Sequence, residues 1–156
     1  MPNRLIAVDI DDRGLVTPTP EMDQERKVAI FDLLEENFFA IPRAAEFPGP
    51  YRLLLALREG RLVFAVSSQE GRQVAEFHLS LGPFRQVVKD YFQICESYFE
   101  AVRNLPPARI ETIDMARRGI HNEGARVLQE RLAGKAVVDA HTARRLFTLI
   151  CVVQWG

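Results

Sequence analysis

Cysteine is scarce in this 156-residue chain. Only Cys95 and Cys151 occur, each inside an apolar periodic segment and neither in a CxxC spacing. That argues against a disulfide framework or a cysteine-ligated metal, and both residues read as buried thiols. No stretch approaches the roughly eighteen consecutive apolar residues that a membrane helix needs, so no membrane role is expected. The opening MPNRLIAVDIDD lacks the apolar core and small-residue cleavage site of a secretory signal, which makes the cytoplasm the expected location. Net charge is only −1, so there is no global field to recruit nucleic acid or an anionic membrane. Internal repeats and low-complexity tracts are absent too.

What is present is an ordinary globular composition, 47% apolar and 26% charged. The length suits one domain spanning residues 1–156, able to bury about two-thirds of its unfolded surface. The small charge imbalance divides unevenly: residues 1–104 hold 12 Lys/Arg against 16 Asp/Glu, and residues 105–156 hold 8 against 5. Ordinary surface variation covers a split of that size.

Arg4 to Ile10 alternates and predicts a strand. Gly14 and the run Thr17-Pro18-Thr19-Pro20 break it, with Thr19 placed as N-cap and Pro20 as the first residue of a helix reaching about Phe39. Its expected core stripe is Ile30, Phe31, Leu33, Leu34 and Phe38, with Glu25, Asp32, Glu35 and Glu36 on the other side. Residues 41–50, with three prolines and a glycine, predict a loop.

A β-meander follows. With Glu59-Gly60 and Glu70-Gly71 as turns, Leu57 faces Leu62, Leu55 faces Phe64 and Leu53 faces Val66, while Phe64 faces Phe77, Val66 faces Ala75 and Leu62 faces Leu79. One apolar face then runs across three strands, and a one-residue slip would destroy it. Gly82-Pro83 opens a helix to about residue 103 whose apolar residues fill one half-circle. Ala108 to Arg118 reads as a short helix closed by Gly119. Asn122 then caps another, running through Ala125, Val127, Leu128 and Leu132 and stopping at Gly134. Asp139 can cap the last element, whose LFTLICVVQW run (146–155) is apolar on nearly every side and leaves helix or strand open.

Three sets of strings, GPYRLLLAL with RLVF (49–57 and 61–64), LSLGPFRQVVKDYFQICESYFEA (79–101), and IDMARRGIHNEGARVLQERLAGK with TARRLFTLIC (113–135 and 142–151), give the chain a resemblance to the uncharacterised bacterial protein family UPF0262. The resemblance implies a bacterial cytoplasmic origin and carries over no activity, cofactor or catalytic residue.

Among chemical constellations, Asp9-Ile-Asp11 has the DxD spacing of haloacid-dehalogenase-like phosphatases. That fold needs a parallel sheet with alternating helices, whereas the strands that follow form hairpins, so a strand end dissolving into a charged turn is preferred. His78 beside Glu76 reads as structural. The densest polar cluster is Arg117, Arg118, His121, Asn122 and Glu123, for which ordinary capping and an internal salt bridge are the structural alternative. His121 could act as general base with Glu123 as its partner, and the arginines could bind an anion, joined by Arg145 from the pair Arg144-Arg145 after His141. Asn122 as N-cap would leave the amides of Glu123, Gly124 and Ala125 pointing outward at a positive helix end. A helix-turn-helix fails on its long turn and on the apolar character of the segment that would read DNA.

The expected fold is therefore α+β, an antiparallel β-meander of three strands with the N-terminal strand as a candidate fourth, covered by the helix of residues 83–103, with a helical C-terminal half (83–156) after an N-terminal strand, helix and meander (1–82). The expected function is unknown in detail. A non-catalytic binding or regulatory domain for a protein or small anionic ligand comes first, a small hydrolase or transferase using His121, Glu123, Arg117 and Arg118 second, and a nucleic-acid binder last. No cofactor and no metal is called for. A concave site would favour the enzyme and a flat or convex one the binding module. Self-association through residues 142–156 is also expected, since so apolar an element has few places to hide; the alternative is that it runs through the middle of the domain.

Overall fold

A computed structural model describes residues 2–155. Its main sheet has strands β1 (Leu5–Ile10), β3 (Tyr51–Arg58), β4 (Arg61–Ser68) and β5 (Gln73–Ser80) in the order β1-β3-β4-β5. The meander has the register expected from its letters, Leu55 opposite Phe64 and Phe64 opposite Phe77. Glu59 and Gly60, at φ +52° and +73°, form the two-residue turn whose left-handed backbone matches the strand twist. The second turn is longer than Glu70-Gly71 alone. It spans Gln69 to Arg72, and a bulge beside Ser67 restores the pairing beyond it. The N-terminal strand does join the sheet, but parallel to β3, so the sheet is mixed rather than wholly antiparallel.

Helix α1 (Pro20–Glu35) starts as expected: the Met22 N–H donates to Thr19 Oγ1 at 3.2 Å, and proline occupies its first turn. It ends four residues sooner than the apolar pattern suggested, because Asn37 leaves the helix to bind β1. The Leu5 N–H donates to Asn37 Oδ1 (2.7 Å), and Asn37 Nδ2 donates back to Leu5 O (2.9 Å). The expected core stripe of α1 is corrected as well. Met22, Ala29 and Leu33 are buried, while Phe31 is 64% exposed and Leu34 and Phe38 face solvent in part. After α1, β2 (Phe39–Ala40), where the expected helix was to end, pairs antiparallel with β6 (Val137–Val138) in a small ribbon.

Helix α2 (Arg85–Asn104) follows a short 3-10 turn at Gly82–Phe84. Next comes α3, an uninterrupted helix from Pro107 to Leu132, where two helices separated at Gly119 were expected. The last element, α4 (Ala140–Val153), is a helix capped by Asp139, whose Oδ1 accepts from the Thr142 N–H at 2.9 Å. Every residue of α4 from Leu146 to Val153 is buried, and the helix packs against α1, α3 and β3. The apolar run from Leu146 to Val153 is thus buried in the chain's own core, the alternative that the sequence left open beside a dimer seam. α4 is also the helix against β3, while α2, expected over the sheet, packs chiefly on α3. Each fully buried Leu or Phe contributes about 1.5–3 kcal/mol, so the all-round burial of α4 makes it the centre of the fold. No helix of the described residues is long and apolar enough to cross a membrane.

Candidate functional site

Helices α1, α3 and α4 enclose a polar cleft of about 250 Å³. From α3 come Asp114, Arg117, Arg118 and His121, spaced at helical intervals on one face. Arg145 and Thr148 come from α4, and Glu25 and Asp32 from α1. Four of the expected residues, Arg117, Arg118, His121 and Arg145, are therefore brought together. Asn122 and Glu123 do not line the cleft. Both are exposed, and Glu123 pairs instead with Arg126.

Because α3 runs straight through Asn122, that residue caps nothing. The amides of Glu123, Gly124 and Ala125 lie inside the helix and offer no N-terminal cradle to an anion. The signals that suggested a break, Gly119 and Asn122, are outweighed by the packing stripe of Arg117, Ile120, His121, Gly124, Leu128 and Leu132, which continues across them.

The electrostatics of the cleft come from interlocked pairs. Arg117 Nη1 donates to Glu25 and Nη2 to Asp114, both at 3.0 Å, and its guanidinium lies 4.2 Å over the Tyr98 ring. Arg117 Nε is buried without a partner among the described residues. Burial raises the Glu25 carboxyl pKa against the pull of Arg117. Arg118 shares Asp114 at 3.0 Å but is 75% exposed along its side chain. Arg145 Nε sits 3.2 Å from Asp32, yet at an angle that makes no hydrogen bond. Among the described residues, Arg118 and Arg145 thus each lie near a carboxylate without a hydrogen bond to it, while Arg117 is held by two.

His121 is tied into the same network. Its Nε2 lies 3.0 Å from Thr148 Oγ1, whose hydroxyl can donate to Arg144 O at 3.3 Å. The imidazole packs against Tyr91 and the edge of Phe147. Burial, reinforced by Arg117, Arg145 and Arg144, lowers its pKa to about 4, so it is neutral at pH 7. A neutral imidazole bonded to a threonine, with Glu123 turned to another partner, does not assemble the expected acid–base pair.

The carboxylates of the cleft were not foreseen. Glu25 and Asp32 were assigned to the solvent side of α1, although their i, i+7 spacing with Ala29 between them places all three on one face. Elsewhere, Asp9 pairs with Arg26 and Asp11 with Arg13, in keeping with a charged turn. His78 bonds Glu76 at 2.8 Å on the edge strand. His141 is half-buried at the start of α4 and does not line the cleft. Both cysteines are free and buried. Among the described residues no group of His, Cys, Asp and Glu has the arrangement to hold a metal.

Residues 2–156 match the model of the uncharacterised protein family UPF0262. A UPF0262 protein of Cereibacter sphaeroides is 70% identical over 99% of both chains. Relatives from Jannaschia sp., 68% identical over 96% of both chains, and Roseobacter denitrificans, 66% identical over 99% of both, bear the same family name. No solved structure matches the chain. With matches of this length and identity, the chain belongs to the UPF0262 family.

Proposed function

We propose that the protein is a non-catalytic binding domain whose cleft between α1, α3 and α4 takes a small ligand bearing an anionic group. The observation that carries the reading is the convergence of three guanidinium groups in one concave site, with Arg145 close to a carboxylate but not hydrogen-bonded to it. A concave site is what the enzyme reading called for, and it suits a small-ligand pocket as well, so the choice between the two rests on the acid–base groups. The neutral, threonine-bound His121 and the outward pairing of Glu123 leave no assembled acid–base machinery, which favours binding. Glu25, Asp32 and Asp114 compete with an incoming anion. The groups open to it are Arg145 and the largely exposed Arg118, while Arg117 stays locked between two carboxylates. In the same reading the protein acts as a single domain in the cytoplasm, where thiols such as Cys95 and Cys151 stay reduced.

The test is thermal unfolding in phosphate or citrate against chloride at matched ionic strength. A ligand at ten times its Kd stabilises by about 1.4 kcal/mol, a shift of roughly 3–5 °C for a chain of this size. That shift should vanish in Arg145→Gln and shrink in Arg118→Ala. An equal shift in wild type and both variants would mean that the anions act elsewhere or only as stabilising salts.

A further inference from the structure

A larger cavity, about 610 Å³, opens as a groove between the start of α1 and the middle of α2. Its floor is apolar. Met22 and Cys95 are 2% and 1% exposed, while Phe92, Phe99 and Trp155 are half-buried and present ring surface to the groove. Phe92 and Trp155 meet edge to face at 5.1 Å, so the two rings brace each other. Burial pushes the Cys95 thiol up to about 11, and it adds no charge to the floor at neutral pH.

The rim has the opposite character. Glu96 and Glu100 stand one turn apart on α2 and both line the groove, and among the described residues neither forms an ion pair. Arg103, the cation of the rim, is committed to Glu21 across the groove at 2.8 Å. Two like charges at i, i+4 disfavour each other until a cation sits between them. The polar cleft sets arginines beside carboxylates, whereas this groove has an apolar aromatic floor under a negative rim. Complementarity to both calls for one molecule with an apolar body and a positive group, which ring faces and carboxylates attract together. The volume lies within the roughly 300–1,000 Å³ of small-molecule sites.

We infer that this groove is a second binding site, for a small organic cation whose body lies on Phe92, Phe99 and Trp155 and whose ammonium group sits between Glu96 and Glu100. Trp155 is the single tryptophan of the chain, so its emission reports occupancy of the groove directly.

The experiment titrates the full chain with 3-phenylpropylammonium, 3-phenylpropanol and 3-phenylpropanoate, probes of one shape and three charges, while Trp155 emission is followed. Saturable change should come at roughly tenfold lower concentration for the ammonium than for the alcohol, with the carboxylate weakest. In E96Q/E100Q, at exposed positions that leave the fold intact, the ammonium should fall to the level of the alcohol while the alcohol is unchanged. Equal response to all three probes would overturn the inference in favour of an unselective apolar cavity. An ammonium preference that survives E96Q/E100Q would place the cation elsewhere and overturn it too. A Trp155 emission that moves with protein concentration alone would show a second copy of the chain covering the groove, and would equally overturn it. The Arg145→Gln variant should respond to the probes as wild type does, so the outcome is independent of the polar cleft.

Discussion

Gly124 of α3 lies so close to Phe147 of α4 that a Cβ at position 124 would stand 2.5 Å from the ring's Cγ. The sequence suggested a Gly124 whose amide points outward at a helix end. Its neighbour is instead a fully buried phenylalanine at the centre of the core. Two helices meet there at a separation that a methyl group would forbid.

Gly124→Ala should therefore destabilise the protein by roughly 1–3 kcal/mol, since overpacking against an immobile ring outweighs the gain of about 1 kcal/mol that alanine brings to a helix interior. Gly119 is the internal control. It sits in the same helix with nothing within 4 Å of an added Cβ, so Gly119→Ala should stabilise by about 0.5–1 kcal/mol. Urea unfolding of the two variants measures both. Stabilisation of similar size at both positions would mean that the α3–α4 crossing is looser than described.

Within the meander, Phe64 is wholly buried on a central strand, whereas its cross-strand partner Phe77 lies half-buried on the edge strand. Phe64→Ala should cost about 3–5 kcal/mol and Phe77→Ala clearly less. Equal losses would place the two rings in equivalent environments and refute the edge position of β5.

His121 gives the stability a pH dependence whose sign is fixed. Unfolded, the imidazole takes a proton near pH 6.5; folded, it refuses one until about pH 4. Between these values the unfolded chain binds more protons, so stability is undiminished above pH 6.5 and falls as the pH drops toward 4, by up to about 3 kcal/mol. Glu25, raised by burial, works in the opposite sense near the lower end, so the informative quantity is the difference between wild type and His121→Gln. That difference should shrink steadily between pH 6.5 and 4. A constant difference would show the ring to be freely hydrated.

The meander was legible because two glycine-marked turns and a period of two each constrain it, and any slip would have put Phe64 into solvent. α4 was legible as buried but not as helix, since an element apolar on every side has no periodicity to read. α3 was misjudged for a different reason. Gly119 and Asn122 are local signals worth about 1 kcal/mol or less each, and the stripe from Arg117 to Leu132, which decides the matter, depends on helices that pack against it only in the tertiary fold. α1 failed on composition: apolar residues at 28–31, 33 and 34 straddle two faces, and Asn37, bound to β1, chose between them. The polar cleft was half legible. Its cations cluster in sequence, but Glu25 and Asp32 come from a helix about ninety residues away from Arg117.

The ribbon of β2 and β6 also sets a timetable. The Phe38 N–H donates to Thr142 Oγ1 across 104 residues of sequence, beside the pairing of Phe39 with Val138. At synthesis rates of about 5–20 residues per second, the segment around Phe39 waits roughly 5–20 s for its partner to be made. The meander, whose hairpin pairings are local, can form during that interval. Phe39, fully enclosed in the finished protein, is meanwhile an open apolar side chain next to the exposed Phe31 and Phe38, and this is the stretch that a nascent-chain chaperone would meet.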